Sequence, residues 1–203
     1  VASIAILSGR SLSDIRKRVQ IKGIYYGGSH GFEIAGPGIT FIHPDAQSFQ
    51  HIIRSVSQST AKSIQGIPGV FIEKKKFSFT LHFRMAHKEH KRLARRMFYA
   101  ILSRDFPGHT FKIIKGKQVL ELTPDVNWDK GKAAVYILQT LNSDYLPVYV
   151  GDDFTDETAF AALNKKGITV RIGKSSKTEA QYYLKGHYEI LRFLRTIYGS
   201  IEQ

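Results

Sequence analysis

The chain has 203 residues, of which 42% are hydrophobic, and a formal net charge of +13. This length suffices for one sizeable domain with a smaller insert, and the hydrophobic fraction argues against a disordered chain. The absence of cysteine excludes disulfides, zinc–thiolate sites and thiol catalysis, and it fits a reducing compartment, so we expect a cytoplasmic protein. No apolar run is long enough to cross a membrane, so we expect no membrane partner.

The excess of 30 Lys and Arg over 17 Asp and Glu favours anionic partners. The densest basic run is His87–Arg96, which is either a nucleic-acid face or the solvated side of a helix. The run contains no interleaved aromatic residue and no known nucleic-acid motif. We therefore favour a solvated helix that turns Leu93, Met97 and Ile101 inward, and we expect no nucleic-acid partner.

The first part of the chain predicts two strands, a helix and a hairpin. Ser3–Leu7 has the composition of a buried strand, and the turn Ser8-Gly9-Arg10 leads into a helix at Leu12–Val19. A β-prone segment follows at Ile24–Tyr26. Gly36-Pro37-Gly38 then predicts the turn of a hairpin.

The middle of the chain predicts helices and antiparallel strands. In the strand that begins at Phe77, apolar and polar residues alternate, which predicts a half-buried strand paired with Val70–Glu73. The other predicted elements here are helices at Ala46–Ile64 and His87–Ser103 and strands at Thr110–Ile114 and Val119–Leu122.

After Pro124 strands alternate with helices, which predicts parallel βα units. The predicted elements are helices at Lys130–Leu141, Asp156–Leu163 and His187–Tyr198 and strands at Val148–Gly151 and Ile168–Ile172. We expect the two ends of the chain, residues 1–44 and 124–203, to form one α/β core with a parallel sheet. Residues 45–123 form an α+β insert.

The segment VGDDFTDE, residues 150–157, places four carboxylates within six residues of a basic protein. It follows a predicted buried strand, and ligands of open α/β sheets bind beyond the carboxyl ends of their strands. Clustered carboxylates repel one another unless a cation neutralises them, and oxygen ligands suit Mg²⁺. Capping of the next helix by Asp153 or Thr155 explains one or two of these acids but not four. We therefore favour a metal site.

Two further motifs indicate an anion site. Ser8 and Gly9 lie at the end of the first strand, where a hydroxyl and backbone N–H groups can hold a phosphate. Lys130 lies at a predicted helix start, where the helix dipole disfavours a cation. An anion that Lys130 must hold explains its position better than a solvent-facing side chain does.

These three motifs, in this order, resemble those of the haloacid dehalogenase (HAD) superfamily of Mg²⁺-dependent phosphotransferases. The resemblance implies a Rossmann-like parallel-sheet core with an inserted α+β cap domain. It also implies that Ser8 and Gly9 bind the phosphate, that Lys130 neutralises charge on it, and that Asp152 binds Mg²⁺. Asp153 and Asp156 would hold the waters of the metal ion.

The segments YYGGSHGFEI, GVFIEKKKFSFTLHFR, LELTPDVNWDKGKA and VYVGDDFTDETAF resemble the trehalose-6-phosphate phosphatase family over nearly the whole chain. This resemblance implies hydrolysis of trehalose 6-phosphate to trehalose and phosphate, in trehalose biosynthesis, by a monomer. Sugar hydroxyls need both donors and acceptors. The residues that match the sugar-binding positions of the family are Glu73, Lys75, Arg84, Lys117 and Glu121, with Ser29 and His30 as further candidates.

The sequence departs from the family in one respect, since it contains no D-x-D motif. In HAD phosphatases the first aspartate of that motif attacks phosphorus and the second is the acid–base group. We expect that the sequence is truncated or that its first strand is omitted, rather than that the enzyme has degenerated. Another capped HAD sugar phosphatase, for example one acting on sucrose phosphate, and a non-catalytic phosphatase-like domain of a trehalose synthase remain alternatives.

Overall fold

The computed structural model describes residues 2–141 and 145–201. The chain divides into two compact units. Unit 1 comprises Val1–Phe41 and Trp128–Gln203, and unit 2 comprises Ile42–Asn127. The assignment of residues 1–44 and 124–203 as the core and of 45–123 as the cap stays a prediction. The expected core range also covers residues 1, 142–144, 202 and 203, which lie outside the described residues.

The described residues form short strands and seven α-helices. The strands are β1 (Ala5–Leu7), β2 (Tyr25–Gly28), β3 (Glu33–Gly36), β4 (Ile39–Ile42), β5 (Phe71–Lys74), β6 (Phe79–His82), β7 (Phe111–Gly116), β8 (Val119–Pro124), β9 (Val148–Gly151), β10 (Ile168–Ile172) and β11 (Tyr182–Leu184). The helices are α1 (Leu12–Val19), α2 (Pro44–Ser48), α3 (Gln50–Ser63), α4 (Lys88–Asp105), α5 (Lys130–Leu141), α6 (Glu157–Leu163) and α7 (Ile190–Ile201). None of the helices in this part of the chain has the length and apolarity required to cross a bilayer.

Unit 1 contains two sheets, with strand orders β1-β2-β3-β4 and β11-β10-β9. β1 pairs with β2 in parallel, β2 with β3 in antiparallel orientation, and β10 is parallel to both β9 and β11. The predicted α/β core with parallel strands is confirmed, but its strands form two sheets instead of one, because within residues 2–141 and 145–201 no strand bridges β1 and β9. The predictions that β1 and β9 are buried are also wrong, because Ala5 and Val148 are exposed and the apolar residues that follow each of them are only half-buried. The unpredicted strand β11 is a three-residue segment with exposed tyrosines and no local apolar pattern.

The core of unit 1 forms where α5 packs on the first sheet. Tyr25, Ile34 and Ile39 bury their side chains against Ala133 and Ile137 of α5. Burying a large apolar side chain of this kind contributes about 1.5–3 kcal/mol relative to leaving it exposed. This packing fixes the beginning of α5 next to the carboxyl ends of β1 and β2.

Unit 2 is an antiparallel sheet of order β5-β6-β8-β7 whose apolar face is covered by α3 and α4. The predicted alternation is confirmed on that face, since Phe77, Phe79 and Leu81 are fully buried. The other face differs from the half-buried strand that we predicted, because Ser78 and Thr80 are buried as well.

Two predicted helices of unit 2 differ in detail from the observed ones. The helix predicted at Ala46–Ile64 is divided into α2 and α3 at Phe49, whose ψ of −10° departs from the helical value of about −42°. In α4 the buried residues are Ala94, Phe98 and Ile101, so the inward face is shifted from the predicted one.

Candidate active site

The segment VGDDFTDE forms a tight turn at the carboxyl end of β9. The chain continues from Gly151 into a 3-10 helix, Phe154–Asp156, and then into α6. Asp153 and Asp156 form a capping box in which each side chain accepts a backbone N–H. Capping therefore accounts for two of the four acids, and the remaining two are Asp152 and Glu157.

Four protein donors converge on the buried carboxylate of Asp156. Its Oδ1 atom accepts hydrogen bonds from Lys130 Nζ and from the Tyr149 hydroxyl, both at 2.8 Å. Its Oδ2 atom accepts from the backbone N–H groups of Asp152 and Asp153, at 3.1 and 3.0 Å. A carboxylate offers about four acceptor positions, so these donors fill them. In this arrangement no position is left for metal-bound water, and Asp156 instead fixes the turn to Lys130.

Two glycines allow this close approach. A Cβ atom at Gly151 would lie 2.5 Å from the Asp156 side chain, and one at Gly131 would lie 2.3 Å from the Thr158 carbonyl oxygen. Gly131 also donates its backbone N–H to the Thr158 hydroxyl at 3.2 Å. The absence of these side chains brings the first turn of α5 against α6, which places Lys130 beside Asp156.

Lys130 is buried, with an exposed fraction of 6%. The sequence predicted that it holds an anion, and in the structure that anion is Asp156. An ammonium group has three N–H donors, so the bond to Asp156 leaves others for a phosphate. Burial also affects Tyr149: desolvation, and then the neighbouring Asp156 carboxylate, raise the pKa of the Tyr149 hydroxyl well above its usual value. Tyr149 therefore stays a neutral donor to Asp156.

Asp152 and Asp153 are the exposed acids of this turn, and Asp152 is the one that does not take part in the capping box. Its side chain is 58% exposed, and its Oδ2 atom lies 3.5 Å from His187 Nε2. Among residues 2–141 and 145–201 no three His, Asp or Glu side chains form a group that could hold a metal ion. Mg²⁺ commonly uses only one or two carboxylates, with water and substrate phosphate as the other ligands. The exposed carboxylate of Asp152, with exposed Asp153 beside it on a fixed turn, fits that mode of binding.

The Ser8-Gly9-Arg10 turn at the end of β1 is held by the segment Ser29-His30-Gly31. Ser29 and His30 donate backbone N–H groups to the carbonyl oxygens of Arg10 and Ser8, at 2.6 and 2.9 Å. A Cβ atom at Gly9 would lie 2.6 Å from the His30 ring, so the imidazole packs directly on the turn.

All three residues of this segment have positive φ, at 51°, 59° and 94°. Such a backbone is strained for a non-glycine residue and is kept only where its surroundings enforce it. The Ser29 hydroxyl is buried and has no hydrogen-bond partner among the described residues. Both features are typical of functional sites.

Trp128 connects this segment to α5. Its indole N–H donates to the Gly31 carbonyl oxygen at 2.8 Å, and a Cβ atom at Gly31 would lie 2.4 Å from the Cβ atom of Ala133. Contacts therefore run without interruption from the Ser8 turn, through Gly31 and α5, to Lys130, Asp156 and Asp152. The structure therefore links the elements that hold the predicted phosphate and metal residues within unit 1.

The polar face of the unit 2 sheet contains three of the predicted sugar-binding residues. Glu121 Oε1 accepts hydrogen bonds from Lys75 Nζ and from the Ser78 hydroxyl, both at 2.8 Å. Glu73 Oε2 lies 2.9 Å from His82 Nε2. Thr80 is opposite both glutamates in the β5-β6-β8 ladder, which places the two carboxylates on one face. Arg84 and Lys117 are exposed and lie outside this cluster, beyond the end of the β6–β8 ladder.

Several residues of these clusters were missed by sequence reasoning. They are Tyr149, Thr158, Arg171 and His187. Tyr149 and Arg171 occupy ordinary strand positions, so only their neighbours in space indicate a role. Ser78 and His82 lie in the segment GVFIEKKKFSFTLHFR that carries the family resemblance, and the alternation in the strand predicted that both face away from the apolar core.

The core of unit 1, with a serine turn, a buried lysine and clustered carboxylates at strand ends, is HAD-like. A haloacid dehalogenase-like hydrolase from Bacteroides thetaiotaomicron is 11% identical, with a TM-score of 0.63 over 95% of this chain and 86% of its own. A solved trehalose-6-phosphate phosphatase related protein is 23% identical, with a TM-score of 0.79 over 98% of this chain and 82% of its own. Both likenesses show the fold.

A sequence profile of the trehalose-phosphatase family matches residues 2–187. The chain therefore belongs to the trehalose-phosphatase family. The rice (Oryza sativa subsp. japonica) protein "Probable trehalose-phosphate phosphatase 4" is 34% identical over 200 residues. That match covers 94% of this chain and 54% of the relative, so the chain spans about half the length of the curated relatives that it matches.

Proposed function

We propose that this chain belongs to a Mg²⁺-dependent phosphatase that hydrolyses trehalose 6-phosphate to trehalose and phosphate, in trehalose biosynthesis. The observation that carries the proposal is the buried contact between Lys130 and Asp156. This contact holds Lys130, the proposed phosphate donor, against the turn that contains Asp152, the proposed metal ligand. The two residues are therefore fixed relative to each other.

In this proposal Ser8 and Gly9 bind the phosphoryl group through a hydroxyl and backbone N–H groups. Lys130 neutralises negative charge on the phosphate as that charge grows in the transition state. Asp156 and Tyr149 hold the Lys130 ammonium and the turn in position, so no reorganisation is needed during the reaction. The family resemblance assigns the attack on phosphorus to a D-x-D aspartate, and these 203 residues contain no D-x-D motif.

The metal would be held directly by Asp152, and the carboxylate of Asp153 would accept hydrogen bonds from its water ligands. When bound, Mg²⁺ supplies positive charge that stabilises a transferring phosphoryl group. We assign Asp156 to holding Lys130 and the turn in place of the predicted role at the metal waters, because four donors of the protein already bind its oxygens.

The sugar would be recognised by the polar face of unit 2. Glu73 and Glu121 offer acceptors to sugar hydroxyls, and Lys75 offers donors. The exposed side chains of Arg84 and Lys117 would add two further cationic donors. Ser29 and His30 of unit 1, which contact the Ser8-Gly9-Arg10 turn, stay further candidates for sugar binding. A monomeric state and a cytoplasmic location stay predictions.

The test is phosphate release by the natural protein that carries this sequence, measured with trehalose 6-phosphate, sucrose 6-phosphate and mannose 6-phosphate. We expect a preference for trehalose 6-phosphate that is lost in Glu73→Gln and Glu121→Gln, while Lys74→Gln, an exposed neighbour in the same strand, keeps it. A preference for sucrose 6-phosphate would contradict the substrate assignment. Binding of trehalose 6-phosphate without phosphate release would indicate a non-catalytic domain of a trehalose synthase.

A further inference from the structure

Arg171 lies under the turn that presents Asp152. It is near the carboxyl end of β10, where its backbone is in register with Gly151 of β9. Its Nη2 atom donates to the backbone carbonyl oxygen of Asp152 at 3.4 Å. Its Nη1 atom forms an ion pair with Glu157 Oε1. One guanidinium group therefore touches both ends of the DDFTDE segment, at Asp152 and at Glu157.

Glu157 holds Arg171 in place independently of Asp152. The other oxygen of Glu157, Oε2, accepts from the Thr178 hydroxyl at 3.1 Å and from the Glu179 backbone N–H at 2.8 Å. The side chains of Arg171 and Glu157 are only 18% and 17% exposed. An Arg–carboxylate pair that is mostly removed from water keeps a defined geometry, unlike a solvated surface pair.

We propose that Arg171, held by Glu157, is a positioning residue that sets the backbone of the Asp152 turn for cation binding. The inference rests on the proposed function, since it concerns the metal ligand assigned there. Asp156 fixes this turn through the N–H groups of Asp152 and Asp153, and Arg171 fixes it through the carbonyl oxygen of Asp152. The peptide groups on both sides of the Asp152 side chain are thereby restrained.

The positioning role and simple electrostatics predict opposite changes in Mg²⁺ affinity when Arg171 is removed. Arg171 places a positive charge near the proposed cation site, so its removal should strengthen Mg²⁺ binding if charge alone matters. If Arg171 positions Asp152, its removal should weaken Mg²⁺ binding. Groups that orient a metal ligand typically change metal affinity by about 10- to 100-fold when they are mutated.

The test is calorimetric titration of the natural protein that carries this sequence with Mg²⁺. We expect Arg171→Met and Glu157→Gln to weaken binding by about tenfold. The matched control is Lys174→Met, which removes the same charge from an exposed side chain three residues further along the chain; it should leave the affinity unchanged or slightly increased. Arg171→Lys keeps the charge but lacks the planar fork that reaches two acceptors, so it should also weaken binding.

Amide hydrogen exchange without metal provides a second, independent measurement. The Asp152 and Asp153 amides should exchange faster in Arg171→Lys and Glu157→Gln than in the wild type, and no faster in Lys174→Met. Mg²⁺ affinity in Arg171→Met that equals or exceeds that of the wild type would overturn the inference, as would unchanged exchange at both amides. A wild-type protein that does not bind Mg²⁺ but shows the predicted exchange pattern would contradict the proposed function and leave Arg171 as the residue that fixes the turn.

Discussion

Replacing Asp156 with Asn tests whether this carboxylate organises the site. The substitution preserves shape but removes the negative charge and converts one acceptor oxygen into an NH₂ donor. If the NH₂ group faces the amides of Asp152 and Asp153, two N–H groups lose their acceptor. If it faces Lys130, a buried ammonium meets a second donor. Either orientation leaves buried donors without an acceptor.

The expected magnitude follows from burial and from the number of bonds. Asp156 is 5% exposed, and Lys130 is 6% exposed. Breaking a buried ion pair by removing one partner costs about 3–5 kcal/mol. Each buried donor left unsatisfied costs about 1–3 kcal/mol, which overlaps with the first figure rather than adding fully to it. We therefore expect Asp156→Asn to lower the free energy of unfolding by about 3–5 kcal/mol.

Urea unfolding, followed by tryptophan fluorescence, measures this loss. The chain contains a single tryptophan, Trp128, which lies two residues before Lys130. Asp153→Asn is the matched control, because Asp153 is exposed and Asn caps helices about as well as Asp does. A loss within about 1 kcal/mol for Asp156→Asn, in the range of a single ordinary hydrogen bond, would refute the reasoning.

Three further predictions concern the same turn. Asp152→Asn should weaken Mg²⁺ binding in calorimetry while the urea midpoint stays near the wild-type value, because the Asp152 side chain is mostly exposed; unchanged affinity would contradict the metal assignment. Gly151→Ala should destabilise the protein by about 1–3 kcal/mol in urea unfolding, because the added Cβ atom would lie 2.5 Å from Asp156 and overpack the turn. Wild-type stability of this variant would show that the turn can shift to accommodate a Cβ atom. The raised pKa of Tyr149 means that the folded state keeps a proton that the unfolded state releases above its ordinary pKa of 10.0. Tyr149 should therefore not change the free energy of unfolding below about pH 10, and it should lower that free energy above this pH. The Tyr149→Phe variant has no phenol to ionise, so its free energy of unfolding should fall less above about pH 10.

Most of the local structure is predictable from the sequence, because it depends on neighbouring residues. The alternation from Phe77 to Phe83 identifies the buried face of β6, and the turn at Gly36-Pro37-Gly38 separates β3 from β4. The family resemblance, carried by SHGFE, the cap segment and GDDFTD, agrees with the family match over residues 2–187. These signals lie within short stretches of chain, and each is accessible without tertiary structure.

The predictions that were wrong concern pairing and burial between distant segments. The expected single sheet is two sheets, and the strands β1 and β9 are partly exposed. Apolar composition indicates that a segment tends to be a strand. It does not determine which neighbour supplies its hydrogen bonds, because that depends on the rest of the fold.

The sequence by itself determined the family, the chemical types of residue and the position of the acidic turn. Only the tertiary structure decided which contacts each of those acids makes. Asp152 faces solvent, Asp153 and Asp156 cap the turn, Asp156 also holds Lys130, and Glu157 holds Arg171. In the sequence these four carboxylates, which lie within six residues, cannot be told apart by their chemistry. Their roles differ because donors from α5 and β10, which lie far from the turn along the chain, approach Asp156 and Glu157 from within the fold.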